Sequence, residues 1–253
     1  MRLYFFLIIL IVSSFAKEVG VEYKASFGFF GTIGDVTGKF LENSTTYSIE
    51  INATATGLAR ILSNGRYERH YSSGSVKDGL LKPDEYIQEI ETGSSYEKNT
   101  FEFMHDQKKV LKHHIKRTWN LNNETLIDKN ETKNVDYYAD NDLLSLFFNL
   151  PYALKKLEHS SQTRLYAVGA NKKDGGVDIY IPKNDQLESA KELLETESDK
   201  IVIAILNQKI FGSEKGELVI ALDEESYAKK AVLKDVVFFG DIRGEMINKE
   251  EKE

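Results

Sequence analysis

The sequence contains no cysteine and only three prolines in 253 residues. The absence of cysteine excludes a disulfide framework, a thiol nucleophile and a lipid-modified cysteine at a processed N-terminus. No stretch rich in proline, glycine and serine divides the chain, so residues 17–253 are predicted to form a single β-rich domain. Such a domain must be stabilised by its hydrophobic core alone.

Common catalytic motifs are also missing. The chain has no G-x-S-x-G, no phosphate-binding P-loop and no H-E-x-x-H, which are typical of many hydrolases, nucleotide-binding proteins and zinc proteases. The adjacent His113 and His114 lie in a predicted strand, where neighbouring side chains point to opposite faces, so we expect no shared metal. Asp223, Glu224 and Glu225 are better explained by a solvated turn than by a paired general acid and base. We therefore predict a protein that is not an enzyme and uses no metal or cofactor.

The charge of the chain is mildly acidic. There are 40 acidic and 33 basic residues, which gives a formal net charge of -7. Proteins that bind nucleic acid rely largely on cationic contacts with phosphate. We therefore expect no nucleic-acid partner.

One long apolar run occurs, and it lies at the N-terminus. Residues 3–12 are apolar or aromatic and are followed by the small residues Ser14 and Ala16 and then by the charged Lys17. About ten residues are too few to span a bilayer as a helix, which takes roughly twenty. The pattern predicts a secretory signal peptide over residues 1–16, with an uncleaved N-terminal anchor as the alternative. We therefore expect a periplasmic protein with no stable membrane span after cleavage.

Alternation of apolar and polar residues, typical of strands with one buried face, recurs along the chain. Strands are predicted at residues 21–27, 47–56, 67–71, 85–91, 100–105, 110–119, 164–169, 177–181, 201–207, 217–223, 228–238 and 242–247. The last strand is expected to close or edge the sheet, and residues 248–253 are predicted to be a short charged tail. This pattern favours a mainly β fold with an antiparallel curved sheet, as a half-barrel or a lipocalin-like or lipoprotein-carrier-like barrel.

Two segments have helical spacing instead. Residues 141–150 are apolar on nearly every side and are followed by Pro151, which predicts a buried helix that ends there and plugs the curved sheet. Residues 185–197 carry apolar side chains at helical spacing among charged ones, which predicts a surface helix. The polar, asparagine-rich residues 120–134 are predicted to form a loop.

The order of several short motifs resembles the exported bacterial domain-of-unknown-function family 3108. The resemblance spans roughly residues 19–247 and is carried by residues 21–25 (VEYKA), 31–35 (GTIGD), 53–59 (ATATGLA), 78–83 (DGLLKP), 140–146 (DNDLLSL), 222–231 (LDEESYAKKA) and 240–245 (GDIRGE). The chain departs from the family by the added charged helical segment near residues 185–197. The resemblance implies a Gram-negative envelope and a β-rich, carrier-like fold, and it transfers no catalytic residue.

These observations favour non-catalytic binding or carriage of an apolar envelope molecule, such as a lipid or a lipid-linked precursor. The candidate ligand-binding residues are the aromatic and aliphatic residues expected on the concave face, namely Tyr23, Phe27, Tyr47, Ile49, Tyr67, Tyr71 and Phe147. Simple core packing is the alternative for each of them. The alternative function is a structural or interaction subunit of a cell-envelope assembly, with an envelope protein as partner and the charged helical segment near residues 185–197 as part of the binding surface. A continuous apolar pocket of about 300 to 1,000 Å³ would favour a carrier, and a filled core would favour the interaction role.

Asparagine sequons form the last group of motifs. Sequons begin at Asn43, Asn52, Asn123 and Asn130. An acid precedes two of them by two residues, Glu50 before Asn52 and Asp128 before Asn130, and this extended form resembles the acceptor of bacterial oligosaccharyltransferases. Chance occurrence in an asparagine-rich stretch is the alternative. Because Asn130 is expected in a loop and Asn52 on the outer face of a strand, we expect Asn130 to be modified more fully.

Overall fold

The structure is a computed structural model that describes residues 17–120, 122, 124–155, 162–171, 173–206, 215–236 and 240–252. The predicted signal peptide and the sequon at Asn123 lie outside the described residues. The described residues form fifteen strands: β1 (Lys17–Phe27), β2 (Thr32–Glu42), β3 (Thr46–Ala55), β4 (Tyr67–Lys77), β5 (Leu80–Thr92), β6 (Ser95–Met104), β7 (Lys109–Trp119), β8 (Thr125–Asn134), β9 (Asn141–Asp142), β10 (Gln162–Val168), β11 (Gly176–Tyr180), β12 (Ile201–Ile205), β13 (Glu217–Leu222), β14 (Ala228–Val236) and β15 (Gly240–Lys252).

All of these strands belong to one curved sheet with the order β8-β7-β6-β5-β4-β3-β2-β1-β15-β14-β13-β12-β11-β10-β9. Neighbouring strands are antiparallel, except that the short β9 runs parallel to β10. Because β1 pairs with both β2 and β15, the first and last described strands meet in the middle of the sheet. The predicted mainly β fold with a curved antiparallel sheet is confirmed, and the sheet is not closed into a barrel.

The position of β15 differs from the prediction. β15 neither closes nor edges the sheet, because it pairs with β1 on one side and β14 on the other. Residues 248–252 continue this strand, so the predicted charged tail is wrong for them. Their charge is partly neutralised within the sheet, since the Lys249 ammonium lies 3.1 Å from a carboxylate oxygen of Asp223 and 2.9 Å from one of Glu225.

The predicted loop at residues 120–134 is also wrong over most of its length. Residues 125–134 form β8, which pairs with β7 and places Asn130 opposite Ile115. Every residue of β8 is exposed, so the strand has neither a buried face nor the alternation that reveals one.

Within the described residues there are three α-helices: α1 (Gly57–Leu62), α2 (Leu143–Lys155) and α3 (Asp185–Leu194). The two predicted helices are present, but α2 continues through Pro151 instead of ending there. A proline removes one backbone hydrogen bond, and the packing of Leu150 and Leu154 against the sheet holds the last turn in place. Among the described residues, no helix combines the length and apolar character that crossing a membrane would need.

Helices α2 and α3 cover opposite faces of the sheet. Helix α2 contacts β4 and β5 in one half of the sheet and β10 in the other, so it lies inside the curve. Val202 and Ile220 pack toward α2, whereas their neighbours Ile201 and Val219 pack toward α3. Side chains of adjacent strand residues point to opposite faces. The face covered by α2 is called the inner face below, and the face covered by α3 is called the outer face.

Candidate functional site

A buried carboxylate anchors the N-terminus of α2. The Asp142 Oδ1 atom accepts hydrogen bonds from the backbone N–H groups of Leu144, at 2.7 Å, and Ser145, at 3.0 Å. The Ser145 hydroxyl accepts a hydrogen bond from the Asp142 N–H at 2.9 Å. This reciprocal arrangement is a capping box, which satisfies N–H groups that a helix leaves free at its start.

The second oxygen of the same carboxylate binds the sheet. Ser72 in β4 donates a 2.6 Å hydrogen bond to Asp142 Oδ2, and its Oγ lies 2.9 Å from the Tyr47 hydroxyl in β3. Burial raises the pKa of Asp142 to about 6, because a protein interior solvates the charged form poorly. Burial also raises the pKa of Tyr47, with a smaller contribution from the nearby charge of Asp142. All three side chains are buried, so this cluster fixes α2 and presents no surface to a substrate.

A second polar contact holds the middle of α2. The Asn149 side chain accepts a hydrogen bond from the Leu81 N–H at 2.9 Å and donates one to the Leu81 carbonyl at 2.8 Å. Its amide also donates to Asn141 Oδ1 at 2.7 Å. The helix is therefore joined to the start of β5 as well as to β4.

An apolar cavity of about 190 Å³ lies between α2 and strands β1, β2 and β3. The sheet and the helix both contribute apolar walls, which include Val21, Ile49, Ile51, Leu144, Phe147 and Phe148. Gly38 also lines the cavity, and a Cβ atom there would lie 2.6 Å from a methyl of Val21 and 3.0 Å from the terminal methyl of Ile51. The cavity is thus suited to an apolar group and not to a charged one.

Phe148 lines both this cavity and a neighbouring one. Its ring stacks on Phe40 with centroids 4.4 Å apart and contacts Phe147 and Tyr227 edge-on at 5.8 and 6.0 Å. The same four aromatic residues line a second cavity of about 170 Å³. The two cavities therefore lie side by side and share an aromatic wall.

A more polar cleft of about 410 Å³ follows along the C-terminal half of α2. It shares Leu81 and Asn149 with the second cavity, and Tyr152 lies at its exposed side. Its polar lining comes from both charge signs, with Lys77, Lys82, Asp78 and Asp140. The cleft can therefore hold a polar group next to the apolar cavities.

The structure brings together some of the predicted ligand-binding residues. Tyr23, Ile49 and Phe147 line the 190 Å³ cavity, and burial raises the pKa of Tyr23 to about 12. Tyr47 packs in the same core region, but its hydroxyl belongs to the cluster around Asp142. Phe27 lies apart, in a small cluster with side chains of β14.

The prediction that Tyr67 and Tyr71 share this face is wrong. Tyr71 lies opposite Glu50 in the register of β3 and β4, and directly opposite residues share a face. Glu50 points away from its neighbours Ile49 and Ile51, so both tyrosines lie on the outer face. There the Tyr67 hydroxyl donates a 2.6 Å hydrogen bond to Asn52, and the ring of Tyr71 lies 5.2 Å from the Arg69 guanidinium carbon.

Three aromatic lining residues of the 190 Å³ cavity were not among the sequence candidates. They are Phe40 and Tyr227, which are buried, and Phe148, which stacks on Phe40. Phe148 could have been found from the sequence, because its neighbours within residues 141–150 are mostly apolar and indicate a buried position. Tyr227, an aromatic residue in a charged turn, is also a signal, because a solvated turn gives no reason for a large apolar ring.

The histidine pair occupies opposite faces of β7. His113 Nδ1 lies 2.8 Å from Thr132 Oγ1, and His114 Nδ1 lies 2.8 Å from Asn99 Oδ1. Burial lowers the pKa of His114, which favours the neutral ring. In the part of the chain that the structure describes, no three His, Asp or Glu side chains are grouped to hold a metal ion.

The fold and the cavities define the class of this protein: it is an open, curved β-sheet protein in which helix α2 lies on the inner face. Comparisons with protein-family models, with curated proteins and with solved structures found no match to the chain. The resemblance to family 3108 therefore stays a prediction.

Proposed function

We propose that this protein binds the apolar part of an amphiphile, such as a lipid or a lipid-linked precursor, beneath helix α2 and does so without catalysis. The observation that supports this proposal is the apolar cavity between α2 and β1–β3. Transfer of apolar surface out of water stabilises a complex by about 25 cal/mol per Å². Cavities with such walls are typically dry and accept apolar guests.

The size of the cavity limits what it holds. About 190 Å³ is less than the roughly 300 to 1,000 Å³ of typical small-molecule sites. In the present arrangement the cavity accepts a segment of a chain. A longer chain would have to displace aromatic side chains that the two cavities share, such as Phe148, to extend into the second cavity.

The cavities also suggest how a ligand would lie. The apolar cavity, the second cavity and the polar cleft border successive parts of α2 and share lining residues. An amphiphile would extend along the helix, with its chain near Ile51 and its headgroup in the cleft near Lys77 and Lys82. The predicted export of the chain would bring it to an envelope, where such molecules occur.

The interaction role is the second candidate, and an exposed patch favours it. Leu58, Ile61 and Leu62 of α1 are exposed to 46%, 76% and 73%. Exposed apolar patches commonly mark contacts with other proteins. Helix α3, which the sequence suggested for this role, packs its apolar side on the outer face, so its charged side is what remains for a partner.

Titration of the purified protein with a fluorescent fatty acid tests the proposal. The variant Ile51→Phe fills the cavity, and we expect it to weaken binding about tenfold or more, equivalent to about 1.4 kcal/mol. Ile115→Phe is the matched control, because Ile115 is also half-buried but lies on the outer face of β7. Saturable binding that both variants leave unchanged would contradict the assignment of the cavity.

Absence of saturable binding would favour the interaction role instead. In that case Ile61→Ser, which makes the patch on α1 polar, should abolish association with a partner protein. The same substitution should leave fatty-acid binding unchanged if the cavity is the working site.

A further inference from the structure

The edge strand β8 carries one of the two extended sequons. β8 pairs with β7 on one side, and its other backbone edge is an open edge of the sheet. All ten residues, Thr125–Asn134, are exposed. A strand with few buried apolar contacts opens locally more easily than a central one.

The sequon is arranged along one face of this strand. Asp128, Asn130 and Thr132 are spaced by two residues and therefore point to the same side. The Asp128 carboxylate contacts the exposed Arg117 at 3.1 Å, a surface pair of the kind that contributes little stability. Thr132 Oγ1 lies 2.8 Å from His113 Nδ1, and this contact is exposed as well. Among the described residues, the side-chain amide of Asn130 has no hydrogen-bond partner, so its nitrogen is available.

The sequon at Asn52 is in a different environment. It lies in β3, which is paired on both sides by β2 and β4. The Asn52 oxygen accepts a hydrogen bond from the Tyr67 hydroxyl at 2.6 Å, and its nitrogen donates to Glu50 at 3.3 Å. Glu50, the upstream acid, is itself held by Arg69 at 2.9 Å. Both groups that a transferase needs are therefore engaged.

Asn43 is engaged in a turn. Its side-chain oxygen accepts hydrogen bonds from the backbone N–H groups of Thr45 at 2.9 Å and Thr46 at 2.8 Å. It also lacks an upstream acid, with Leu41 at that position. Of the described sequons, Asn130 alone combines an upstream acid, an uncommitted amide and an open backbone edge.

We propose that Asn130 is an acceptor site for an N-linked oligosaccharide, transferred from a lipid-pyrophosphate-linked donor by a bacterial oligosaccharyltransferase. In the reaction, Asn130 Nδ2 forms a bond to the anomeric carbon of the first sugar. The bond between that carbon and the pyrophosphate oxygen breaks, and the lipid pyrophosphate leaves. One amide proton passes to a base, and no oxidation or reduction takes place. Asp128 and Thr132 would seat the acceptor after leaving their exposed contacts with Arg117 and His113.

The test is transfer in vitro onto the purified, folded full-length protein. The mixture contains a purified oligosaccharyltransferase and a lipid-pyrophosphate-linked oligosaccharide, and intact mass reports the product. We expect one added glycan, which is lost in Asn130→Gln and in Asp128→Asn and kept in Asn52→Gln and Asn43→Gln. Two synthetic peptides, spanning residues 126–134 and 48–56, are the controls for local sequence, and we expect both to be modified.

The outcomes separate the effect of the fold from that of the sequence. A glycan mass that survives Asn130→Gln would overturn the proposal. Folded protein that stays bare while the peptide containing Asn130 is modified would overturn it as well, because the edge strand would then be inaccessible. A peptide containing Asn130 that is not modified would show that the sequence itself is not an acceptor, and this too would overturn the proposal.

Discussion

Ser72 and Asp142, 70 residues apart in the sequence, are joined by a buried 2.6 Å hydrogen bond. The contact links β4 in the sheet to the cap of α2, the helix that covers the inner face. The carboxylate is buried and its pKa is raised to about 6. The stability of the contact between α2 and the sheet therefore depends on pH.

The substitution Asp142→Asn should change the pH dependence of stability. Compared with wild type at the same pH, the variant should gain stability as the pH rises from acidic to neutral. Below pH about 4 the wild-type carboxyl is protonated in both folded and unfolded chains. Between about pH 4 and pH 6 the unfolded chain loses this proton first, so stability falls as the pH rises. One pKa unit equals about 1.4 kcal/mol, so a folded pKa of about 6 against the ordinary 3.8 corresponds to about 3 kcal/mol. Asparagine does not titrate and still caps a helix.

Urea denaturation of both proteins at pH 4.5 and pH 7.5 measures this difference. Relative to wild type, we expect the free energy of unfolding of Asp142→Asn to be about 2 kcal/mol larger at pH 7.5 than at pH 4.5, because about 1 kcal/mol of the effect is already present at pH 4.5. Asp142→Ala is the control, since it removes the cap and should destabilise at both pH values. An equal difference at the two pH values would show that Asp142 does not titrate in this range.

The substitution Ser72→Ala should destabilise the protein by about 1 to 3 kcal/mol, because it removes a hydrogen bond to a buried carboxylate oxygen and another to the Tyr47 hydroxyl. Ser73→Ala is the matched control on the opposite face of β4 and should change stability by less than about 0.5 kcal/mol. Thermal unfolding of the two variants compares them directly. An equal loss of stability in the two variants would show that the Ser72 contact with Asp142 contributes no more than an ordinary serine of β4.

Helix α2 should depend on its buried apolar residues and not on its exposed ones. Leu150 is 4% exposed and packs in the cluster that includes Ile220, so Leu150→Ala should lower the free energy of unfolding by about 2 to 5 kcal/mol. Tyr152 is 45% exposed, and Tyr152→Ala should have a much smaller effect. Urea denaturation measures both, and the reverse order of effects would mean that α2 is not docked as described.

Gly74 is required by the bulge between β4 and β5. A Cβ atom at this position would lie 2.1 Å from the Lys82 carbonyl oxygen and 2.7 Å from the Asp84 nitrogen. Both are backbone atoms, so Gly74→Ala should destabilise by several kcal/mol or prevent folding. Gly20→Ala, where nothing lies within 4 Å of the added atom, should be neutral or slightly stabilising. Expression yield and thermal unfolding distinguish the two.

The sequence predicted most of the strands because most have one buried face. Residues 47–56 alternate cleanly, and β3 occupies nearly the same segment. Alternation is missing where burial is absent, as in β8, whose residues are all exposed. The predicted start of the next strand at residue 85 is also wrong, because β5 begins at Leu80, three residues before Pro83. The bulge at Gly74 and the lack of a β6 partner before Glu85 allow the proline there.

The candidate site was harder to predict than the fold. Tyr67 and Tyr71 were placed on the wrong face because helix α1 interrupts the chain before β4, and alternation cannot be carried across an interruption. The phase of β4 is fixed by its register with β3, which pairs His70 with Ile51. The Asp142 cluster joins three distant segments, and no local pattern predicts such a contact. Tyr23 and Ile49 could be predicted because the apolar positions of β1 and β3 face α2, and Phe147 because it belongs to the apolar run of α2 itself.

Mass spectrometry under native and denaturing conditions, on protein purified from the cells that make it, tests the central claim most directly. We predict one amphiphile per chain that adds mass under native conditions, disappears on denaturation and is absent from Ile51→Phe but present in Ile115→Phe. A glycan at Asn130 would instead persist on denaturation, so the two additions are distinguishable. A chain that carries no non-covalent ligand, or one whose ligand is equally retained by Ile51→Phe, would contradict binding beneath α2.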